Sequence, residues 1–215
     1  MMCPLYFIAD PGVLFPTMSL IEIVTQAMDG GARLIQYRDK KNTRRVIYEN
    51  ALRLRELTGL RGVTFLVNDQ VDIALSIGAD GAHLGQQDLP LGAARKVLGD
   101  KAIIGLSTHT LPEAICAEQD GADYIGWGPL FPTSTKADAR RPLGIESIAQ
   151  VKQAVRIPVY VIGGIQKAHL PIIRAAGADG VAAISALLLG DVKSNVQSWL
   201  TMLSAGEGEK RQGVS

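Results

Sequence analysis

Cysteine is almost missing from this 215-residue chain: Cys3 and Cys116 stand far apart. That spacing excludes a disulfide framework and a thiolate metal site, and Cys116, inside an apolar helical pattern, reads as a small core residue. Charge of one sign is not in excess either. Lys and Arg number 22 against 21 Asp and Glu, a formal net charge of +1, so neither a broad basic face for nucleic acid nor an acidic tail is implied. Long apolar runs are lacking as well. No stretch reaches membrane-spanning length, and the opening Met-Met-Cys-Pro-Leu-Tyr-Phe-Ile-Ala-Asp has no basic start and too short an apolar run for a signal peptide. The expectation is a soluble cytoplasmic protein with neither membrane nor nucleic-acid partners. Pro/Gly/Ser linkers and low-complexity segments are absent too, which leaves no domain boundary to place.

What is present is core-forming: 47% of the residues are apolar, enough for one sizeable domain. Short apolar runs alternate with amphipathic ones. Strands are expected at Leu5–Ala9, Leu34–Tyr37, Thr64–Val67, Ala82–Leu84, Ile103–Leu106, Tyr124–Trp127, Val159–Ile162 and Val181–Ile184. They are near-continuously apolar, as strands buried on both faces should be. Helices are expected between them, among them Leu20–Met28 after the cap Ser19, Thr43–Leu57 with Val46, Leu52 and Leu57, and Ala186–Leu203. Gly31-Ala32-Arg33, Gly78-Ala79-Asp80, Gly121-Ala122-Asp123 and Gly177-Ala178-Asp179 each precede a strand, and always an even-numbered one. A shared turn before alternate strands points to a closed, repeating α/β architecture, a (β/α)8 TIM barrel over residues 1–204 with a tail at 205–215. A doubly wound open sheet is the alternative.

In such a barrel chemistry sits at the C-terminal ends of the strands. After the second strand come Gln36, Arg38 and Lys40, on one side of an extended chain. They suit a polyanion such as pyrophosphate, or form a charged rim. After the third and fourth come Asn68-Asp69 and Asp88. Neighbouring strands lie about 5 Å apart, so the two aspartates can meet and hold Mg2+ with substrate phosphates. Taken singly, each reads equally as a helix N-cap. After the fifth come Ser107 and His109, a conceivable nucleophile pair without an evident third member, then Thr110 and Glu113 as a capping box. His83 reads as a core histidine and His169 as solvated. After the sixth strand, two glycines and two prolines lead into Thr133-Ser134-Thr135-Lys136, a donor cluster suited to an anion or, more blandly, a surface turn. After the seventh and eighth come Gly163-Gly164 and Ile184-Ser185, bare backbone plus a helix N-terminus, the phosphate site common in these barrels. One arc thus offers cations and metal-type carboxylates and the other backbone donors. With no obvious nucleophile, Schiff-base lysine or acid–base pair, this suggests the joining of two phosphorylated substrates with loss of pyrophosphate.

From about Tyr6 to Leu189 the chain resembles the thiamine-phosphate synthase family. The resemblance rests on Gln36-Tyr37-Arg38-Asp39-Lys40, Val67-Asn68-Asp69, His83-Leu84-Gly85-Gln86 with Asp88, Ser107-Thr108-His109, Gly128 to Lys136, Gly163-Gly164-Ile165 and Ile184-Ser185, in that order. It is looser at Ala9-Asp10-Pro11-Gly12. It implies a transferase, a thiamine-phosphate diphosphorylase. The enzyme would join 4-amino-5-hydroxymethyl-2-methylpyrimidine diphosphate to 4-methyl-5-(2-phosphooxyethyl)thiazole, releasing pyrophosphate first and trapping a pyrimidine cation with the thiazole nitrogen. By the same resemblance Gln36, Arg38, Lys40, Asn68 and Lys136 hold the diphosphate, Asp69 and Asp88 ligate Mg2+, and Ser107 meets the pyrimidine. Thr133, Thr135, Gly164, Ile184 and Ser185 hold the thiazole phosphate, and Ser134 and Gly163 beside them are expected to bind substrate as well. Arg38, Ser107 and Lys136 are assigned the catalytic work. The implied partners are small-molecule substrates, with a homo-oligomer left open. A thiazole tautomerase using His109 and a non-catalytic precursor-binding barrel are the rival readings.

Overall fold

In the computed structural model, which describes residues 3–13, 18–133 and 141–205, the apolar runs form eight parallel strands. They are β1 (Leu5–Ala9), β2 (Leu34–Tyr37), β3 (Thr64–Asn68), β4 (Gly81–Leu84), β5 (Ile103–Thr108), β6 (Tyr124–Trp127), β7 (Val159–Val161) and β8 (Gly180–Ala183). Each pairs with its sequence neighbour, and β1 also pairs with β8 through Leu5–Val181 and Phe7–Ala183, so the sheet is closed. That closure excludes the open doubly wound sheet. Helices α1 (Leu20–Asp29), α2 (Arg44–Gly59), α3 (Val71–Ser76), α4 (Leu91–Leu98), α5 (Leu111–Gln119), α6 (Glu146–Ala154), α7 (Leu170–Ala175) and α8 (Val192–Ser204) form the outer ring. Residues 206–215, most of the expected tail, lie outside the described residues.

Local chemistry explains the helix boundaries. Ser19 and Glu22 form a reciprocal capping box at α1, and Ile23, Val24, Ala27 and Met28 supply its buried stripe. Three expectations need correction. The helix expected over Ala186–Leu203 is broken. A 3-10 turn at Ser185–Leu187 ends, Gly190 takes φ +79°, and α8 starts afresh with the Asp191 carboxylate accepting from Ser194 N at 2.7 Å. In α2 the buried face is Ile47, Ala51, Leu54 and Thr58, so Val46 lies on the exposed side and Leu52 and Leu57 only border the core. In α5 the inward stripe is Ala114 and Ala117, which leaves Cys116 exposed rather than in the core.

The barrel interior is organised by three tyrosines. Tyr6, Tyr124 and Tyr160 meet edge to face, with ring centroids 5.4–5.7 Å apart. Two strand glycines admit them: a Cβ on Gly105 would stand 2.0 Å from the Tyr124 ring, and one on Gly180 would stand 2.5 Å from the Tyr160 ring. A side chain at either position would displace the packing that fills the barrel.

The repeated turns carry more than their glycines. Gly31, Gly78, Gly121 and Gly177 are all left-handed, as expected. The aspartate two residues on does a second job at the lower rim. Asp80, Asp123 and Asp179 accept the amides of Phe65, Ile104 and Val159 at 2.7–2.8 Å, each reaching back to the preceding strand. Each also meets a helix cation: Arg55 at 3.1 Å, Arg95 at 2.7 Å and Lys152 at 2.6 Å. These ion pairs are half-exposed and contribute little, but the strand amides are drawn into the core. Asp123→Ala leaves the Ile104 amide without its carboxylate acceptor. It is expected to destabilise the barrel by about 1–3 kcal/mol, read as a lower urea midpoint at unchanged slope. An unchanged midpoint would show that the rim carboxylates do not hold the strands.

Candidate active site

The loops at the C-terminal ends of β2 to β8 enclose a cavity of about 460 Å3. Arg38, Lys40, Asn68, Asp69, Asp88, Ser107 and His109 line one side of it, and Thr133, Gly163, Gly164, Ile184 and Ser185 line the other. The structure therefore gathers nearly every expected site residue around one space. Gln36 is the exception. It is 2% exposed, donates to the Tyr6 hydroxyl, and lines a smaller cavity beneath the mouth together with Arg38, Asn68 and Ser107. Ser134, Thr135 and Lys136 lie outside the described residues.

On the acidic and cationic arc, both expected cations already have carboxylate partners. Arg38 pairs with Asp10, and Lys40 with Asp69. Asp10 is buried and also accepts the Gly12 amide at 2.8 Å. Asp10 directly follows β1, in the stretch where the family resemblance is looser, and no role was expected of it. Asp39 points away from the mouth. Burial raises its pKa, but bonds from Asn42, Lys41 and Tyr37 outweigh that and bring the carboxyl below its ordinary value. It thereby ties the loop to the start of α2, where the Thr43 side chain makes no cap bond.

Neither Asp69 nor Asp88 caps a helix, since Gln70 and Pro90 hold those positions. Asp88 instead accepts the Gly85 amide at 2.7 Å, closing its own turn. Asp69 sits at φ +60°, the one left-handed non-glycine among the described residues. Its amide donates to His83 O at 2.9 Å, and its carbonyl accepts from Val71 N at 3.0 Å. A side-chain-bearing residue held there is uncommon and clusters at functional sites. Burial raises the Asp69 pKa, and the adjacent Asp88 carboxylate raises it further against the opposing pull of Lys40. Two neighbouring oxygen-ligand carboxylates that repel one another fit a hard divalent cation such as Mg2+. A group of three or more His, Cys, Asp or Glu that could hold a metal ion is not found among the described residues.

On the opposite arc, Gly163 and Gly164 take φ +100° and +63°. Their lack of side chains serves the β6 loop as well as any phosphate. A Cβ on Gly163 would stand 2.4 Å from Pro129 Cβ, and one on Gly164 would stand 2.4 Å from Pro132 O. Leu130 N and Phe131 N donate to Ile162 O and Gly163 O, which seats Thr133 beside these glycines. Phe131 also stacks on His169 at 4.0 Å, so that histidine is packed on one face and only part-exposed. Beyond β8, Ser185 opens a three-residue 3-10 turn, in place of the long α-helix that was expected to begin there.

The histidines are arranged differently from the conceivable Ser107–His109 pair. Ser107 Oγ lies 2.9 Å from Nε2 of His83, which is buried as expected, while His109 Nδ1 faces Gly128 O at 2.5 Å. The Thr110–Glu113 capping box is half formed. Thr110 Oγ1 accepts from Glu113 N at 3.3 Å, but the Glu113 carboxylate accepts the amide of His109 at 2.6 Å rather than that of Thr110. Periodicity called for a buried histidine at position 83, but no sequence signal tied it to Ser107.

A closed (β/α)8 barrel with a cation-and-carboxylate arc facing a glycine-rich arc defines a barrel enzyme that handles phosphorylated small molecules. The sequence profile described as thiamine monophosphate synthase matches residues 5–187. The chain is 45% identical over 187 residues to the thiamine-phosphate synthase of Chloroflexus aurantiacus, covering 87% of this chain and 86% of that one. It is 46% identical over 186 residues to that of Methanospirillum hungatei, covering 86% and 90%. The solved thiamine phosphate pyrophosphorylase of Pyrococcus furiosus superposes with a TM-score of 0.84 at 37% identity, covering 94% of this chain and 96% of that one. The chain belongs to the thiamine monophosphate synthase family.

The crowded carboxylates have a measurable consequence. A raised Asp69 pKa means that the folded state binds this proton more readily than the unfolded chain. In metal-free protein, Asp69 therefore costs stability above its raised pKa, and that stability returns as pH falls through it toward the ordinary carboxylate value. Asp88→Asn is expected to raise the metal-free Tm at neutral pH, to flatten the mildly acidic pH dependence, and to reduce the further rise on adding Mg2+. An unchanged pH profile together with an undiminished Mg2+ effect would contradict this pairing.

Proposed function

We propose that the protein is a thiamine-phosphate synthase, a transferase joining 4-amino-5-hydroxymethyl-2-methylpyrimidine diphosphate to 4-methyl-5-(2-phosphooxyethyl)thiazole. The observation that carries this is one cavity lined on one side by Arg38, Lys40, Asp69 and Asp88 and on the other by Gly163, Gly164 and Ser185. Family relationship to proteins named for this activity supports it. Arg38, Lys40 and Asn68 bind the diphosphate, with Lys136 contributing from outside the described residues. Gln36 supports the pyrimidine end from the lower cavity, where Ser107 also reaches. Asp69 and Asp88 would hold Mg2+, which supplies positive charge to the departing pyrophosphate. Thr133, Gly163, Gly164, Ile184 and Ser185, with Ser134 and Thr135, hold the thiazole phosphate.

Loss of pyrophosphate leaves a pyrimidinylmethyl cation, which the thiazole nitrogen captures. Such a reaction depends on positioning and on stabilising a charged leaving group, and needs no strong base. The charge-paired mouth fits this. A polyanion entering it draws Arg38 and Lys40 away from Asp10 and Asp69. A cytoplasmic location belongs to the same proposal. Among the described residues no helix is long and apolar enough to cross a membrane. A homo-oligomer is compatible with it.

Product and pyrophosphate are expected only when both substrates and Mg2+ are present. Conversion of the thiazole phosphate alone, without pyrophosphate release, would instead support a tautomerase. His109 decides the same point independently, because its Nδ1 contact with Gly128 O leaves Nε2 as the nitrogen facing the cavity. His109→Asn is expected to keep at least about a tenth of kcat, since loss of a true general acid or base costs roughly 10²–10⁴-fold.

A further inference from the structure

A continuous hydrogen-bonded chain runs through the barrel interior to the floor of the mouth. Gln36 Nε2 lies 2.5 Å from the Tyr6 hydroxyl, and the Tyr6 and Tyr124 hydroxyls are 2.7 Å apart. The Tyr124 hydroxyl lies 2.9 Å from His83 Nδ1, and His83 Nε2 lies 2.9 Å from Ser107 Oγ. Gln36, Tyr6, Tyr124 and His83 are all at most 8% exposed. Only Ser107 opens onto the main cavity.

The chain has one consistent direction. The Gln36 amide nitrogen can only donate, so the Tyr6 oxygen accepts from it. Among the described residues Tyr6 has just this partner and Tyr124, so its own proton goes to Tyr124. The Tyr124 proton then goes to His83 Nδ1, which places the imidazole proton on Nε2, where it donates to Ser107 Oγ. Reversing the Tyr6–Tyr124 bond would strand a buried hydroxyl proton, a costly arrangement. Burial pushes both phenol pKa values upward, so these protons stay in place at working pH. With one lone pair of Ser107 taken by His83, the serine proton is the group left to point into the mouth.

We propose that Tyr124, backed by Tyr6 and Gln36, is a positioning residue that acts through the His83 tautomer to turn the Ser107 hydroxyl into a fixed donor. Its target is an acceptor nitrogen of a heteroaromatic substrate ring. The inference rests on the proposed reading that Ser107 meets the pyrimidine. It also removes a serine-nucleophile reading, because His83 offers Ser107 a proton instead of taking one.

Nitrogen-15 NMR of the histidines in the full-length protein, at a pH where they are neutral, tests the direction. His83 is expected to carry its proton on Nε2, and His109, facing a carbonyl with Nδ1, to carry its proton on Nδ1. Tyr124→Phe should shift His83 toward the other tautomer and lower kcat about 3- to 10-fold, the scale of one lost hydrogen bond. Tyr160→Phe removes the hydroxyl of a neighbouring core tyrosine that donates to Cys3 O instead, and should change kcat less than about twofold. In a Ser107→Ala background, Tyr124→Phe should cost almost nothing more, because coupled residues are not additive. The wild-type spectrum decides the matter even if Tyr124→Phe fails to fold, and a His83 proton on Nδ1 overturns the proposal. So does a Ser107→Ala enzyme with wild-type kcat, while turnover by the wild type would still uphold the proposed function.

Discussion

The width of the barrel is set where Tyr6, Tyr124 and Tyr160 wedge against one another and against the bare backbones of Gly105 and Gly180. Large rings filling the interior would ordinarily bury three phenol oxygens at a cost. Here each oxygen has a partner. Tyr160 donates to Cys3 O, and the other two join the chain that ends at Ser107. The packing that closes the sheet is therefore the packing that supports the floor of the site. Stability and function share residues at mid-barrel and separate only above and below it. Below, the carboxylates of Asp80, Asp123 and Asp179 hold strand amides. Above, the loops carry the charges.

Charge balance governs the mouth. Asp10, Asp69 and Asp88 offset Arg38 and Lys40, so the mouth is not a bare basic patch. This agrees with a whole-chain net charge of +1. A diphosphate would gain affinity only by exchanging these carboxylates for its own oxygens, and a divalent ion would relieve the Asp69–Asp88 repulsion as it did so. Affinity for the two would thus be coupled through Asp69, which touches both the cation Lys40 and the second carboxylate. The glycine arc works otherwise. Gly163 and Gly164 accommodate the β6 loop, and the proposed phosphate surface would come with that fit.

The sequence made the architecture legible because strand and helix periods differ and because the Gly-Ala-Asp turn recurs before β4, β6 and β8. It made most of the mouth legible because strand ends are where barrels place their chemistry. What it concealed were contacts between residues distant in the chain. Asp10 and Arg38 are 28 positions apart, His83 and Ser107 24, Tyr6 and Tyr124 118. No periodic pattern encodes such pairs. Alternation put Gln36 on the same side as Arg38, correctly, but said nothing of depth, and Gln36 lies one layer lower. The break at Gly190 was hidden because apolar residues continue on both sides of it.

The central claim is that the cavity has two arcs with different ligands, and Arg38→Ala tests it most directly. If Arg38 faces the pyrophosphate as it departs, its loss should lower kcat roughly 30- to 1,000-fold, because such contacts strengthen toward the transition state. Calorimetry should then show the affinity for the thiazole phosphate, held across the mouth, changed less than about threefold. Wild-type kcat in this variant, or a collapse of thiazole phosphate binding with the diphosphate still bound, would contradict the account.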